Sequence, residues 1–139
     1  MPIIVVARLR LRDHSLLDDF FTHATAVIEQ AQNTEGNLGV DAMAEAHDVW
    51  WDVTAWEGRA PIETFMNTEP HLSTRALVDH LCDEASFANW EQDTAELPDW
   101  QTAWRRLVAE GQSASITDGS AANETRDFPA PVVPPSSVA

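Results

Sequence analysis

Asp48-Val49-Trp50-Trp51-Asp52-Val53-Thr54-Ala55-Trp56-Glu57 is the stretch that decides the fold. Val49, Trp51, Val53 and Ala55 alternate with Trp50, Asp52, Thr54 and Trp56. A period of two puts the two sets on opposite faces of a β-strand, and both sets carry large apolar side chains. Residues 38–44 form a second strand-like run, joined to the first by the polar Glu45-Ala46-His47, so 38–57 is expected to be a hairpin.

Working outward, Ile3, Val5, Leu9 and Leu11 alternate with Ile4, Val6, Arg8, Arg10 and Arg12 in an amino-terminal strand. Asp13 or Ser15 can cap a helix whose apolar positions are Leu17, Phe20, Phe21, Ala24, Val27, Ile28 and Ala31, ending by Gly36. Beyond the hairpin, helical spacing occurs in two pieces, Ile62, Phe65 and Met66, then Leu72, Ala76, Leu77 and Leu81. They break at Pro70, because a proline disfavours helical geometry in the residue before it. Residues 84–92 form a fourth strand, with Ala85 and Phe87 on one face and Ala88 and Trp90 on the other.

The order β-α-β-β-α-β predicts an α+β, ferredoxin-like domain: one antiparallel sheet with both helices on one face. Trp50, Trp56, Trp90, Ile4 and Val6 are expected on the other face. So much apolar area requires cover by another subunit or chain segment, and a homodimer is the economical solution. The chain divides into a domain at 1–93, a carboxy-terminal helix within 94–111 and an extended tail at 112–139 rich in Pro, Ser and Ala. In the helix, Trp100, Ala103, Trp104, Leu107 and Val108 share a stripe between Pro98 and Gly111. The tail, with Phe128-Pro129-Ala130-Pro131 and Pro134-Pro135, has no periodicity and is expected to dock as an extended arm.

The 139 residues carry 23 acidic side chains against 8 basic ones, all arginine, for a net charge of −15. That surface repels phosphate backbones and anionic membranes, so neither nucleic acid nor membrane is an expected partner. No apolar run reaches the length of a membrane span, which makes cytoplasmic the expected location. Cys82 is the one cysteine and is expected to pack in the core.

Val53-Thr54-Ala55-Trp56-Glu57, Phe65 and His71 resemble the antibiotic biosynthesis monooxygenase superfamily over residues 3–92. The resemblance implies a dimeric α+β barrel with a pocket between sheet and helices. It also implies oxygenation of a small aromatic or polyketide-like compound without a cofactor. The haem-degrading branch fits poorly: Ala7 stands where that branch has an asparagine, Phe65 where it has a tryptophan and Arg75 where it has the ligating histidine. A haem protein using His71 is the remaining form of that alternative.

The five histidines, His14, His23, His47, His71 and His80, show none of the spacings of metal sites, so no metal is expected. The resemblance puts His71 beside the pocket, where imidazole can exchange a proton with a phenol; a capping role at a helix start explains it equally. Arg75, one turn on, can hold an enolate or carboxylate, or pair with Asp79. Arg8, Arg10 and Arg12 can bind an anion or pair with Asp52. Asp83 and Glu84, adjacent in a strand, are expected on opposite faces. Phe21, Trp51 and Phe65 are candidates to line an apolar pocket for a planar ligand, or else to pack the core. The competing functional class is a non-enzymatic dimeric ligand-binding or assembly module.

Overall fold

The computed structural model describes residues 1–46 and 48–133; His47 and the Pro134-Pro135 part of the tail lie outside the described residues. The elements are β1 (Ile3–Leu11), α1 (Leu17–Asn33), β2 (Asn37–Glu45), β3 (Val49–Trp56), α2 (Arg59–Met66), α3 (His71–Leu81), β4 (Cys82–Glu91), α4 (Trp100–Glu110), β5 (Gln112–Ser113) and α5 (Ala121–Thr125). They form a five-stranded antiparallel sheet in the order β2-β3-β1-β4-β5. The ferredoxin-like α+β expectation holds, with β4 starting at Cys82 rather than residue 84.

Local chemistry sets several boundaries. Asp13 accepts from the Ser15 amide at the one-turn helix that leads into α1. Asp99 caps α4 by accepting from the Thr102 amide at 2.7 Å. Gly36 turns the chain from α1 into β2 at φ +93°, and a Cβ there would stand 2.4 Å from Pro61, so only glycine fits.

The register shows which side chains share a face. Ile3, Val5 and Leu9 of β1 stand opposite Trp56, Thr54 and Trp50, whereas Ile4, Val6 and Arg8 stand opposite Ala55, Val53 and Trp51. Trp50 and Trp56 therefore belong to the helix face, contrary to the sequence expectation, and Trp51 belongs to the far face. The alternation itself holds, but nothing in a doubly apolar strand marks which set meets the helices.

On the helix face, α1 and α3 pack Phe20, Ala24, Leu77, Val78 and Leu81 with Leu9, Trp50 and Cys82. A separate cluster joins Ala31, Val27, Ile62, Phe65 and Met66 to Val5, Val40 and Trp56. Cys82 is buried, and burial pushes its thiol up to about 12, as suits an inert packing residue.

The far face is covered by the chain itself. Ala103 and Leu107 of α4, with Leu97, Trp100, Trp104 and Val108 partly buried beside them, pack on Ile4, Val6, Trp51, Val53, Ala88 and Trp90. The segment after α4 then crosses every strand. β5 pairs with β4, the Asn123 side chain accepts from the Ala85 amide, Phe128 stacks on Arg8, and the Val132 amide donates to Glu45 on β2. The tail is thus a docked belt with a strand, a helical turn and a core aromatic. The far sheet face is covered by the chain itself, so the argument for a homodimer from an exposed sheet face lapses.

The arginines of β1 pair beneath this roof, though not with Asp52. Buried Arg8 meets Glu84 at 2.6 Å, with its guanidinium 4.0 Å from the Phe128 ring. Arg10 holds both Asp83 and Glu84, at 2.6 and 3.0 Å. A register shift after Arg10 brings these adjacent carboxylates to one cation, overriding strict alternation. Arg12 donates to the carbonyls of Asp79, Thr117 and Asp118. Asp79 accepts from the Thr117 amide and lies 3.8 Å from Arg12, in place of the pairing with Arg75.

Two outcomes follow. Glu84→Gln leaves Arg8 buried without its counter-charge and is expected to cost about 3 kcal/mol in urea unfolding, with Arg8→Met/Glu84→Leu recovering at least about half. The purified chain is expected to give the 15.4 kDa mass of one copy in native mass spectrometry; a dimer would mean that the roof opens or another surface pairs.

Candidate functional site

The helix-facing side of β3 reads Trp50, Asp52, Thr54, Trp56. Each indole turns inward along its own strand: Trp50 Nε1 donates to Asp52 Oδ2 at 3.0 Å, and Trp56 Nε1 donates to Thr54 Oγ1 at 2.8 Å. The two tryptophans belong to the two separate apolar clusters, so Asp52 and Thr54 form a polar centre between them. Ala7 and Ala42 are the cross-strand neighbours of Asp52, and neither supplies a charge. Burial dominates and pushes the Asp52 carboxyl up to about 6, against the opposing hydrogen bond from Trp50. A carboxyl so placed can exchange a proton near neutrality.

A pocket of about 230 Å³ opens at the Trp50 end. Its walls include Leu11, Leu17, Phe20, Phe21, Val49 and Trp50. At its edge the His14 Nδ1 lies 2.6 Å from Asp48 Oδ1, and this carboxylate raises the exposed imidazole above its ordinary pKa. Asp48 adopts a left-handed backbone at φ 65°, a conformation Asp tolerates, and so brings its carboxylate to the pocket.

The proposed site residues are distributed over three places. Phe21 lines the pocket. Trp51 lies on the far face, fully buried, with its indole donating to Glu45. Phe65 and His71 lie together at the other end of the helix layer, ring centroids 4.6 Å apart, with Phe65 also against Trp56 at 5.1 Å. Gln30 ties this end together by accepting from the His71 amide and donating to the carbonyls of Phe65 and Thr68. Burial lowers the His71 pKa, opposed by the Met66 carbonyl and reinforced by Arg75 one turn on. The Nδ1 of His71 is buried without a hydrogen-bond partner. His71, Arg75 and Phe65 are not among the residues lining the Trp50 pocket.

Sequence reasoning missed Asp52 as a site residue, treating it as a partner for arginine. The available signal was its position: an acid on a strand face otherwise made of tryptophan and threonine. No group of three or more His, Cys, Asp and Glu placed to hold a metal occurs among the described residues. None of their helices is long and apolar enough to cross a membrane.

Asp52 supplies a stability signature. A carboxyl with a folded pKa above its unfolded one binds more protons in the folded chain between the two values. Its contribution to stability therefore falls as pH rises from 3.8 to about 6, and the full cost stands above that. Asp52→Asn is expected to raise stability at pH 8 by on the order of 2 kcal/mol and to flatten that part of the pH profile in urea titrations.

The family model described as antibiotic biosynthesis monooxygenase matches residues 2–77, more than half of the chain. No curated protein matches the sequence. Among solved structures, Rv0793 of Mycobacterium tuberculosis superposes with a TM-score of 0.62 at 18% identity, covering 69% of this chain and all of that one. PA3566 of Pseudomonas aeruginosa gives 0.59 at 16%, covering 67% and 95%. SnoaB of Streptomyces nogalater, a cofactor-independent oxygenase, gives 0.56 at 8%, covering 67% and 94%. Identities this low establish a shared fold, and the roof of the far face falls within the part of the chain beyond the family match.

Proposed function

The chain belongs to the antibiotic biosynthesis monooxygenase family, and from that premise we propose that it oxygenates a small electron-rich aromatic compound without a resident cofactor. The observation that carries this reading is the Asp52 carboxyl, held with a pKa of about 6 on the indole of Trp50, which lines the aromatic pocket. Family membership and the oxygenase neighbour support the reaction class; the pocket supports the ligand class.

In this reading a phenol binds among Phe20, Phe21 and Trp50; Asp52 is outside the pocket wall and is linked to it through the Trp50 indole, which donates to its carboxylate. With a pKa of about 6 Asp52 is mostly ionised at neutral pH, and the phenolic proton would pass to it through an intervening water. The resulting phenolate is the reductant. It transfers an electron to O2, the two radicals join in a new C–O bond, and loss of water leaves a quinone. Carbon is oxidised, both oxygen atoms are reduced, and one of them leaves as water. The apolar walls restrict water around the reactive pair. A cavity of 150 Å³ accepts benzene, so about 230 Å³ suits one or two rings, with larger groups projecting outward.

The non-enzymatic reading has one observation in its favour: the belt and α4 already fill the far face, so the chain has no need of a second sheet to complete its core. A partner-binding role for the tail would compete with that packing. Haem has less support than either, because Arg75 stands where the haem-degrading branch has its ligating histidine and the His71 ring is packed at a tilt against Phe65, centroids 4.6 Å apart.

The test is conversion of 1,5-dihydroxynaphthalene, with oxygen uptake and hydroxynaphthoquinone formation followed together. One O2 consumed per quinone formed is expected. Asp52→Asn should lose at least about tenfold in kcat, and His71→Ala less than about threefold. The reverse pattern would return proton transfer to His71, and absence of turnover in the wild type across hydroxylated one- and two-ring arenes would remove the enzyme.

A further inference from the structure

Oxygenation of a phenol needs an acid as well as a base. Superoxide and the phenoxyl radical join to give a peroxide with its charge on the distal oxygen, and that oxygen must be protonated before it can leave as water. Asp52 is the acceptor for the phenolic proton and lies outside the pocket wall. Among the described residues lining the pocket, only Trp50 and His14 have a side-chain N–H or O–H at neutral pH. Trp50 gives its N–H to Asp52 at 3.0 Å. Glu45 accepts from the Trp51 indole and the Val132 amide, and Asp48 faces His14. His14 is therefore the donor that the wall offers to a guest.

Two separate segments build its setting. His14 lies in the one-turn helix before α1, directly after Asp13, which accepts from the Ser15 amide. Asp48 comes from the β2–β3 turn, where its carbonyl accepts from the Leu11 amide at 3.0 Å. Its left-handed backbone brings the carboxylate to 2.6 Å from His14 Nδ1. A carboxylate on Nδ1 fixes the orientation of an imidazole and leaves Nε2 to exchange protons, as in hydrolytic triads. The His14 side chain is 77% exposed, so Nε2 can recover a proton from solvent between turnovers. Asp48, with smaller effects from Asp13 and Asp18, raises the imidazole above its ordinary 6.5 and so keeps a protonated fraction at neutral pH.

We infer that His14 is the general acid of this pocket and Asp48 its positioning residue, with Nε2 of the imidazolium protonating the distal oxygen of the peroxide formed on a phenolic substrate. The O–O bond then breaks and its electron pair leaves with the distal oxygen. The electron pair of the ring C–H bond at that carbon becomes the second bond of the new carbonyl. The departing oxygen carries the His14 proton and the ring proton away as water. The phenolic proton taken by Asp52 passes to solvent and His14 takes one back, so the substrate loses two hydrogens and one water forms. This inference rests on the oxygenase reading.

Oxygen uptake and quinone formation by the full chain with 1,5-dihydroxynaphthalene test it. His14 is exposed and outside the core, so His14→Ala should keep the wild-type circular dichroism spectrum. It should lose at least about tenfold in kcat with KM within about twofold. Added imidazole should restore part of that loss, because a soluble acid can reach an exposed site, whereas a residue that only shapes the turn is not replaced in this way. In the wild type kcat is expected to fall above pH 6.5 as His14 loses its proton. Asp48→Asn keeps the left-handed backbone accessible and should move that fall to lower pH, and His14→Ala should remove it. A kcat for His14→Ala within about threefold of wild type, or a fall that Asp48→Asn leaves in place, overturns the inference while the oxygenase stands. An inactive wild type removes the oxygenase, and the role of His14 falls with it.

Discussion

A sheet whose central strands are apolar on both faces must bury both, and this constraint organises the molecule. Three helices satisfy one face. The other is satisfied by α4 and a belt running from β5 to Val132, across all the long strands. The belt is held by specific polar and charge contacts as well as apolar packing: Phe128 closes over the buried guanidinium of Arg8, Ser120 donates to Glu84, and Asn123 bridges the Ala85 amide to the Ala114 carbonyl. A buried Arg8 is tolerated because Glu84 and an aromatic face surround it, and those partners come from β4 and the belt. The charge pair thus makes the belt's position specific where hydrophobic contact alone would leave it free to slide.

With the far face closed, the candidate site lies in the helix layer, where its polar centre falls between two apolar clusters. Trp50 and Trp56 satisfy their indole N–H groups on Asp52 and Thr54, which keeps a carboxyl inside an otherwise apolar layer. The raised pKa of Asp52 is an energetic cost to the fold, as is common where a group is held for function. The pocket beside Trp50 draws its walls from α1, the turn before it and the β2–β3 hairpin end, so its shape depends on the docking of three separate segments.

Alternation and helical spacing were legible from sequence because they are local. Residues 49–56 had to be a strand, the break at Pro70 had to divide two helices, and Pro98 and Gly111 had to bracket α4. The facial assignment of Trp50, Trp51 and Trp56 was not legible, since both faces of β3 are equally apolar. Of the residues put forward for the site, Phe21 lines the pocket, Phe65 and His71 meet each other at the opposite end of the layer, and Trp51 is in the roofed core. Periodicity reports that side chains share a face; it carries no distance between them.

The sequence by itself determined the α+β element order, the family, the acidic surface and the inert setting of Cys82. Each depends on neighbours along the chain or on composition. Tertiary structure alone decided that the chain roofs its own sheet, that Arg8 and Arg10 pair with Asp83 and Glu84 across a register shift, and that the tryptophan held by Asp52 lines an aromatic pocket. The arginine pairs join residues 73 and 76 positions apart in sequence and the belt's hydrogen bonds to the sheet reach 87, and their energies come from burial and charge compensation in three dimensions. No one-dimensional pattern encodes which distant partner removes a side chain from water.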